Sequence, residues 1–433
     1  MRTPDRVRHT SQPAALPRPD RLPRLLPAGF AAGPARLAEH RVRYGPPPSG
    51  LSEYQRTALI AEVERSGLTG RGGAAFPTAR KLAAVAAGHA PVVVANGTEG
   101  EPASSKDKVL LARSPHLVLD GAVLAAELVG ARQAFIVVHH SVREIVDDAV
   151  TERRRAQADR VRLRVVTATD RFVAGEASAV VHWIERGIPT PTARPPRLSD
   201  RGLTGRPTLV QNVETLAHLA LIGRYGAAWF RALGTADEPG TMLVTILGAV
   251  REPSVTEIAI GTPVGEVLQL AGGAAAPLQA VLLGGYFGGW ADAAAAAVAP
   301  FSKAGLAPMG AGVGAGLIAA LPTDACGIGE TARVARYLAD ESAGQCGPCL
   351  FGLNAVAGEV EQLAEGRTSS LARLRRWLGQ VDGRGACSHP DGAVRLIRSA
   401  LTLFADELEQ HAQGWCGGTR KAPVLPVPPR RQP

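Results

Sequence analysis

Five cysteines occur in a chain of 433 residues, and three of them have the spacing of metal ligands. Cys346-Gly347-Pro348-Cys349 puts two thiolates on one tight turn, and Cys387 follows in the loop Gly385-Ala386-Cys387. Two sulfurs on a Gly-Pro turn aim at one centre, and a third arrives from a distant loop, as ligands of a shared site often do. The competing reading is a redox dithiol, and spacing alone does not separate zinc from iron–sulfur. The odd total, at 326, 346, 349, 387 and 416, together with a Cys-x-x-Cys pair, argues for metal over disulfides.

Two other segments have the chemistry of nucleotide or flavin loops. Gly67-Leu68-Thr69-Gly70-Arg71-Gly72-Gly73-Ala74-Ala75-Phe76-Pro77-Thr78 is rich in glycine, which lets backbone N–H groups approach a phosphate, and Arg71 adds positive charge. Such a loop is equally compatible with a plain turn. Asn96-Gly97-Thr98-Glu99-Gly100-Glu101-Pro102 follows the apolar run Val92–Ala95, so its polar groups fall at the carboxyl end of a strand, where parallel sheets bind ligands. Taken alone, it also reads as a solvated loop.

Alternating elements must position these loops. Residues 51–66 have helical spacing. Strand-like runs at 91–96, 134–139 and 161–166 alternate with helical stretches at 116–131 and 142–157, which implies crossovers and a parallel, Rossmann-like sheet. Residues 181–207 read as loop. Strands at 242–248 and 280–283 around a helix at 264–271 suggest a small β/α module. Helical patterns at 329–343, 350–365, 368–380 and 392–412 suggest a bundle. The expected organisation is α/β. A poorly ordered Pro/Arg-rich lead-in (1–50) precedes a Rossmann-like domain (51–235). A small module (240–295), a metal-binding helical bundle (325–412) and a basic Pro-rich tail (413–433) follow.

Charge and hydropathy exclude some partners. The formal charge is +9, but residues 1–50 carry a net +6 and residues 420–433 a net +4, leaving the body near neutral. A nucleic-acid binder needs its basic stripe on a folded face, so none is expected here. The uncharged run 304–323 contains Pro308, Pro322 and five glycines, so it reads as a buried strand–loop–strand rather than a transmembrane segment. The prolines at 13, 17, 19 and 23 interrupt any secretory core, and a cytoplasmic location is expected.

In order along about four-fifths of the chain, these motifs resemble the family of NADH-binding flavoprotein subunits of respiratory complex I and NAD-linked hydrogenases. The resemblance rests on Gly70-Arg71-Gly72-Gly73-Ala74 through Phe76-Pro77-Thr78 to Lys81, Asn96 to Pro102 with Lys106-Asp107, and Gly175-Glu176. It continues through Gly205-Arg206-Pro207-Thr208, Asn212-Val213-Glu214-Thr215, and Glu341-Ser342 with Cys346, Cys349 and Cys387. It implies a β-grasp-like SLBB fold for the small module, FMN on the Rossmann-like domain, NADH as hydride donor and a [4Fe-4S] cluster in the bundle. A ferredoxin or membrane redox protein would be the partner. By the same resemblance, Gly70, Arg71, Gly72 and Lys81 hold the FMN phosphate and ribityl chain. Asn96, Glu99, Gly175, Glu176, Asn212 and Thr215 line the flavin, and Phe76 and Glu101 meet the nicotinamide nucleotide.

Departures from the family pattern fall at the site. Ala75 stands at a glycine position, Thr98 and Ala177 at carboxylate positions, Phe172 at a tyrosine, Gln211 at an asparagine, and Ala343 at the first cluster cysteine. Three cluster thiolates remain, with Cys326, Cys416, His389 or an external group as candidates for the fourth place. Each lost polar partner costs about 1 kcal/mol or more, so the phosphate end is expected to be held better than the nicotinamide end. Two other readings compete with an electron-transfer enzyme. One is a scaffold or relay that keeps only the fold and cluster, and the other is a zinc-stabilised ligand-binding protein.

Overall fold

A computed structural model describes residues 21–26, 33–193, 196–367, 371–420 and 422–429. After α1 (Leu37–Tyr44), α2 (Glu53–Ser66) and α3 (Thr78–Ala86), strand and helix alternate. The order is β1 (Val92–Gly97), α4 (Lys106–Arg113), α5 (Pro115–Val129), β2 (Gln133–Val138), α6 (Arg143–Arg155), β3 (Arg162–Thr167), α7 (Ala177–Arg186), β4 (Thr208–Asn212) and α8 (Val213–Arg231). All four strands are parallel in the order β3-β2-β1-β4.

Strand β1 explains why the sheet is buried on both faces. Val93 and Ala95 pack toward α5 and α8, whereas Val92 and Val94 pack toward α7, as expected of a parallel strand covered on both sides. Helices α5 and α8 pack so closely that a Cβ on Gly121 would stand 1.9 Å from the Leu216 carbonyl oxygen. The chain moves outward from β1 to β3 and then returns to place β4 on the other side of β1. That reversal is a topological switch point, and the crevice beyond the carboxyl ends of β1 and β4 is the natural ligand position. Asn96 pairs in register with Asn212 at this place.

The second sheet runs β6-β5-β9-β7-β8, from β5 (Thr241–Gly248), β6 (Ser254–Ala259), β7 (Leu278–Leu283), β8 (Gly289–Asp292) and β9 (Leu317–Pro322). Short helices α9 (Val264–Gln269), α10 (Ala293–Ala297) and α11 (Lys303–Leu306) complete it. One face packs on α9 through Val264, Val267 and Leu268. The other packs on the bundle through Leu282, Trp290, Leu317 and Leu321. The module therefore runs past the expected 295 to Pro322. The uncharged run 304–323 is a short helix, a loop and the central strand β9, rather than two strands. Among the described residues no helix is long and apolar enough to cross a membrane by itself.

The bundle comprises α12 (Gly327–Asp340), α13 (Leu353–Ala364), α14 (Leu371–Val381), α15 (His389–Leu403) and α16 (Ala405–Ala412). The single helix expected over 392–412 breaks at Phe404, and residues expected as loop after 181 include the last turns of α7.

Both termini differ from expectation where they are described. Leu25 is fully buried, and the backbone N–H groups of Arg24 and Leu25 donate to Glu257 at 2.6 and 2.7 Å. At the other end, Val424 and Leu425 donate to Glu330 at 3.0 Å, and Leu425 is buried. A charge count sees these segments as solvated tails, because their few apolar anchors are surrounded by arginine and proline.

Candidate functional site

The three loops named from sequence meet at the carboxyl ends of β1 and β4. The backbone N–H of Arg71 donates to Thr215 Oγ1 at 2.8 Å, and a Cβ on Gly72 would stand 3.3 Å from Asn212 Cβ. Asn96 Nδ2 donates to the Gly175 carbonyl at 2.9 Å, and Asn212 Nδ2 donates to Asp107 Oδ2 at 2.6 Å. A Cβ on Gly100 would collide with the Phe172 carbonyl at 2.6 Å, so only glycine lets the 96–102 loop lie against the 171–175 segment.

Several of these residues hold protein structure as well. The Arg71 guanidinium donates to the carbonyls of Thr69, Pro239 and Thr241, each at 3.3 Å, so it joins the glycine-rich loop to the start of β5. Glu99 caps α4 by accepting from the N–H groups of Asp107 and Lys108 at 3.0 and 2.9 Å. Glu176 caps α7 by accepting from the N–H groups of Ser178 and Ala179 at 2.7 and 3.0 Å. Lys81 Nζ donates to the Val210 carbonyl at 3.1 Å and lies 3.5 Å from Gln211 Oε1, and burial lowers its pKa. Phe76 is exposed, with Arg80 over its ring.

Two buried polar atoms of the 96–102 loop, Thr98 Oγ1 and Glu101 Oε1, lack a protein partner among the described residues. The other Glu101 oxygen accepts from Tyr286 N–H at 2.9 Å, and burial of the carboxylate pushes its pKa up to about 7. Buried polar atoms normally have partners, so such orphans suit a bound polar group. Together with the exposed Gly72–Phe76 segment and the half-buried ammonium of Lys81, they fit a flavin nucleotide. A cleft of about 1290 Å³ is also lined by this loop. Thr98, Glu99, Gly100 and Glu101 line it opposite Arg333, Tyr337 and Glu341.

A buried ionic network beneath the loops was legible only as the motif pairs Lys106-Asp107 and Glu214-Thr215. Lys106 Nζ donates to Asp107 Oδ1 at 2.7 Å and to Glu214 Oε2 at 2.8 Å. Glu214 Oε1 also accepts from Leu243 N–H at 2.9 Å, which joins the two sheets.

The cysteines named from the sequence lie at the foot of α13 and in the loop before α15. Cys349 lies in a π-helical turn, Pro348–Gly352, that runs into α13. Cys346 and Cys349 share a thiol–thiol hydrogen bond, and the Ala386 N–H donates to the Cys346 sulfur. The charge of Cys387 acts on Cys349 and that of Cys346 on Cys387, so the three lie in one neighbourhood. Burial raises the thiol pKa of Cys349 to about 11 and also raises that of Cys387. Burial opposes ionisation of Cys346 too, but the N–H groups of Ala386 and Cys349 outweigh it and the pKa falls. Half-buried Ala343 precedes Gly344, whose N–H donates to Cys349. Three neighbouring cysteines beside backbone donors fit a cysteine-held cluster with one corner left to another ligand.

The candidates for that corner separate. Helix α12, 14 residues and about 20 Å long, lies between Cys326 and the cysteine turn. Cys326 and Cys416 instead face each other at its other end. His389 Nε2 donates to the Leu338 carbonyl at 2.7 Å, and Nδ1 is buried without a partner among the described residues.

Glu341 joins the two candidate sites. One oxygen accepts from Phe172 N–H at 2.9 Å and from Arg171 Nε at 3.0 Å. The loop leading to Gly175 and Glu176 is thereby fixed to the turn carrying the cysteines. Glu176 is close enough for its charge to act on Cys387.

Comparisons with known proteins agree with this layout. Residues 63–221 match the Nuo51 FMN-binding domain, 243–286 the SLBB domain, and 329–411 the NADH-ubiquinone oxidoreductase-F iron–sulfur binding region. An NADH-quinone oxidoreductase subunit of Rhizobium meliloti (strain 1021) is 28% identical over 390 residues, covering 84% of this chain and 90% of that protein. The corresponding NADH-quinone oxidoreductase subunit of Streptomyces coelicolor is 29% identical over 381 residues, covering 82% and 83%. An NAD+-reducing [NiFe]-hydrogenase chain in the air-oxidised state superposes with a TM-score of 0.77 at 32% identity. That match covers 83% of this chain and 63% of the hydrogenase chain.

Proposed function

Because the chain belongs to the family of NADH-binding flavoprotein subunits of respiratory complex I and NAD-linked hydrogenases, we propose that it moves electrons from NADH through FMN to a [4Fe-4S] cluster. The observation that carries this reading is the Glu341 tie, which holds the flavin-side loop against the cysteine turn. When bound, FMN accepts a hydride and the cluster takes electrons singly.

The residues divide the work. Gly70, Gly72 and Lys81 would hold the phosphate end, while Asn96, Gly175, Asn212 and Thr215 fix the loops around the ring. Arg71 positions the glycine-rich loop through its bonds to the β5 side. Phe76 and Glu101 would meet NADH, with Glu101 Oε1 free to accept a hydrogen bond. Cys346, Cys349 and Cys387 would hold three corners of the cluster. Electrons leave to a partner redox chain, either a ferredoxin or a membrane-bound redox protein, and NADH as donor suits a cytoplasmic location.

Anaerobically purified protein tests this through its absorption spectrum, its iron and sulfide content and an FMN titration. Flavin binding, iron with matching sulfide, and bleaching by NADH are expected. Protein that binds neither flavin nor iron would refute the reading. Iron and sulfide without flavin binding would leave the relay that keeps only its cluster, the reading favoured by the replaced carboxylates at Thr98 and Ala177.

A further inference from the structure

A second convergence of metal-ligating groups lies at the end of α12 remote from the cluster cysteines. The ligand atoms of Cys326, His411 and Cys416 all lie within 4.8 Å of one another. Cys326 Sγ is 3.5 Å from His411 Nε2 and 3.6 Å from Glu407 Oε2. A tetrahedral zinc ion, about 2.3 Å from sulfur and about 2.0 Å from nitrogen or oxygen, puts neighbouring ligands about 3.5 Å apart. The Cys326 edges to His411 and Glu407 are already of that length, and Cys416 lies within 4.8 Å of Cys326 and His411.

The surroundings prepare each ligand. His411 Nδ1 is 3.2 Å from the Leu363 carbonyl, which can only accept, so Nδ1 carries the proton and Nε2 offers its lone pair to the sulfurs. Cys326 caps the start of α12 and accepts from Gly329 N–H at 3.1 Å, which fixes the direction of its sulfur. Glu407 Oε2 is held by Ile328 N–H at 3.1 Å. His411 is buried and Cys416 exposed, so the site has a dry floor and an open entry. The segment after Cys416 passes directly over Cys326, where a Cβ on Gly418 would stand 2.8 Å from Cys326 Cβ.

We propose that Cys326, His411 and Cys416, with Glu407 turning in as the fourth ligand, bind a zinc ion that clips the C-terminal segment to the helical bundle. The ligands come from the start of α12, from α16 and from the chain beyond it. Zinc would therefore close a loop around the bundle without using any cysteine of the cluster turn. It would also hold in place the segment whose Leu425 is buried against the bundle and whose Arg420 pairs with Asp324 at 3.0 Å.

The test is elemental analysis of the full chain isolated anaerobically with thiol reductant. About one zinc per chain is expected in addition to iron. Replacement by cobalt should give the visible bands of a tetrahedral thiolate site. Cys326→Ser and Cys416→Ser should each lose zinc while iron and sulfide stay unchanged, and Cys349→Ser should lose iron while zinc stays. His411→Cys, which keeps four ligands, should retain zinc. If the serine variants fold poorly, chelation of the wild type supplies the readout, and a protease should then cut residues 413–429 faster. Absence of zinc together with absence of cobalt bands would overturn the proposal. So would zinc retained by the double variant Cys326→Ser/Cys416→Ser, or a Cys326–Cys416 disulfide in the isolated protein.

Discussion

Lys106 Nζ lies 2.8 Å from Glu214 Oε2, and neither side chain reaches water. The ammonium also contacts Asp107 at 2.7 Å, and the same Glu214 accepts the backbone N–H of Leu243. This short chain of bonds connects α4, α8 and β5, the elements that carry the candidate flavin loops. Burial works against the charged ammonium, but the two carboxylates outweigh it and hold the proton more firmly than in water.

Removing one partner of a buried pair leaves an uncompensated charge, which costs about 3–5 kcal/mol. Lys106→Met should therefore lower the stability of the first domain by that order in urea unfolding, and FMN affinity should fall with it. A loss below about 1 kcal/mol would show that water reaches the pair.

Ala75 adopts φ 49°, a left-handed conformation that glycine takes without steric cost. Ala75→Gly should stabilise the fold by up to about 1 kcal/mol. It should also tighten FMN in a fluorescence titration, since the methyl group stands on the exposed nucleotide loop. Unchanged stability and unchanged affinity would mean that the loop relaxes at no cost.

Glu101 sets a pH dependence. Its folded-state pKa is raised to about 7 from 4.5, with burial the largest cause. The folded chain thus binds the proton more tightly than the unfolded chain. The stabilisation is fully present below about pH 4.5 and is lost as pH rises through about 7. Glu101→Gln should flatten the stability curve in that window and make the variant more stable than the parent at pH 8. Parallel curves for the two proteins would show that another group sets the slope.

Ala343 sits at the edge of the cysteine turn, next to the glycine whose N–H reaches Cys349. Ala343→Cys should add a fourth thiolate, raise the iron and sulfide retained after exposure to air, and change the electron paramagnetic resonance signal of the reduced protein. Cys346→Ser in the same background should reverse the gain. Identical retention with and without the added cysteine would mean that the fourth corner is already firmly held.

Local chemistry made much of this protein legible in advance. Short apolar runs and helical spacing marked β1, β2, β3, α2, α5 and α6 within a few residues, because a strand buried on both faces is apolar along its length and a helix repeats its apolar positions. The cysteines of the helical bundle stood out because a Gly-Pro turn and a glycine-flanked loop are local features. The alternation of elements also pointed to the parallel sheet, and with it to loops meeting at one end.

Other features depended on contacts between residues far apart in sequence. Glu99 and Glu176 read as ligand carboxylates, and only the fold shows that both cap helices. Arg71 read as positive charge for a phosphate, and only the fold shows that its guanidinium also donates to the carbonyls of Pro239 and Thr241. Cys326 and Cys416 both looked like candidates for the cluster's fourth corner. The 14-residue helix α12 carries Cys326 away from it, and the returning C-terminal segment brings Cys416 to Cys326. Residue type and spacing determined which groups can bind metal or phosphate. Packing of helices and crossing segments decided which of those groups meet, because a side chain's partner depends on where the chain returns in space.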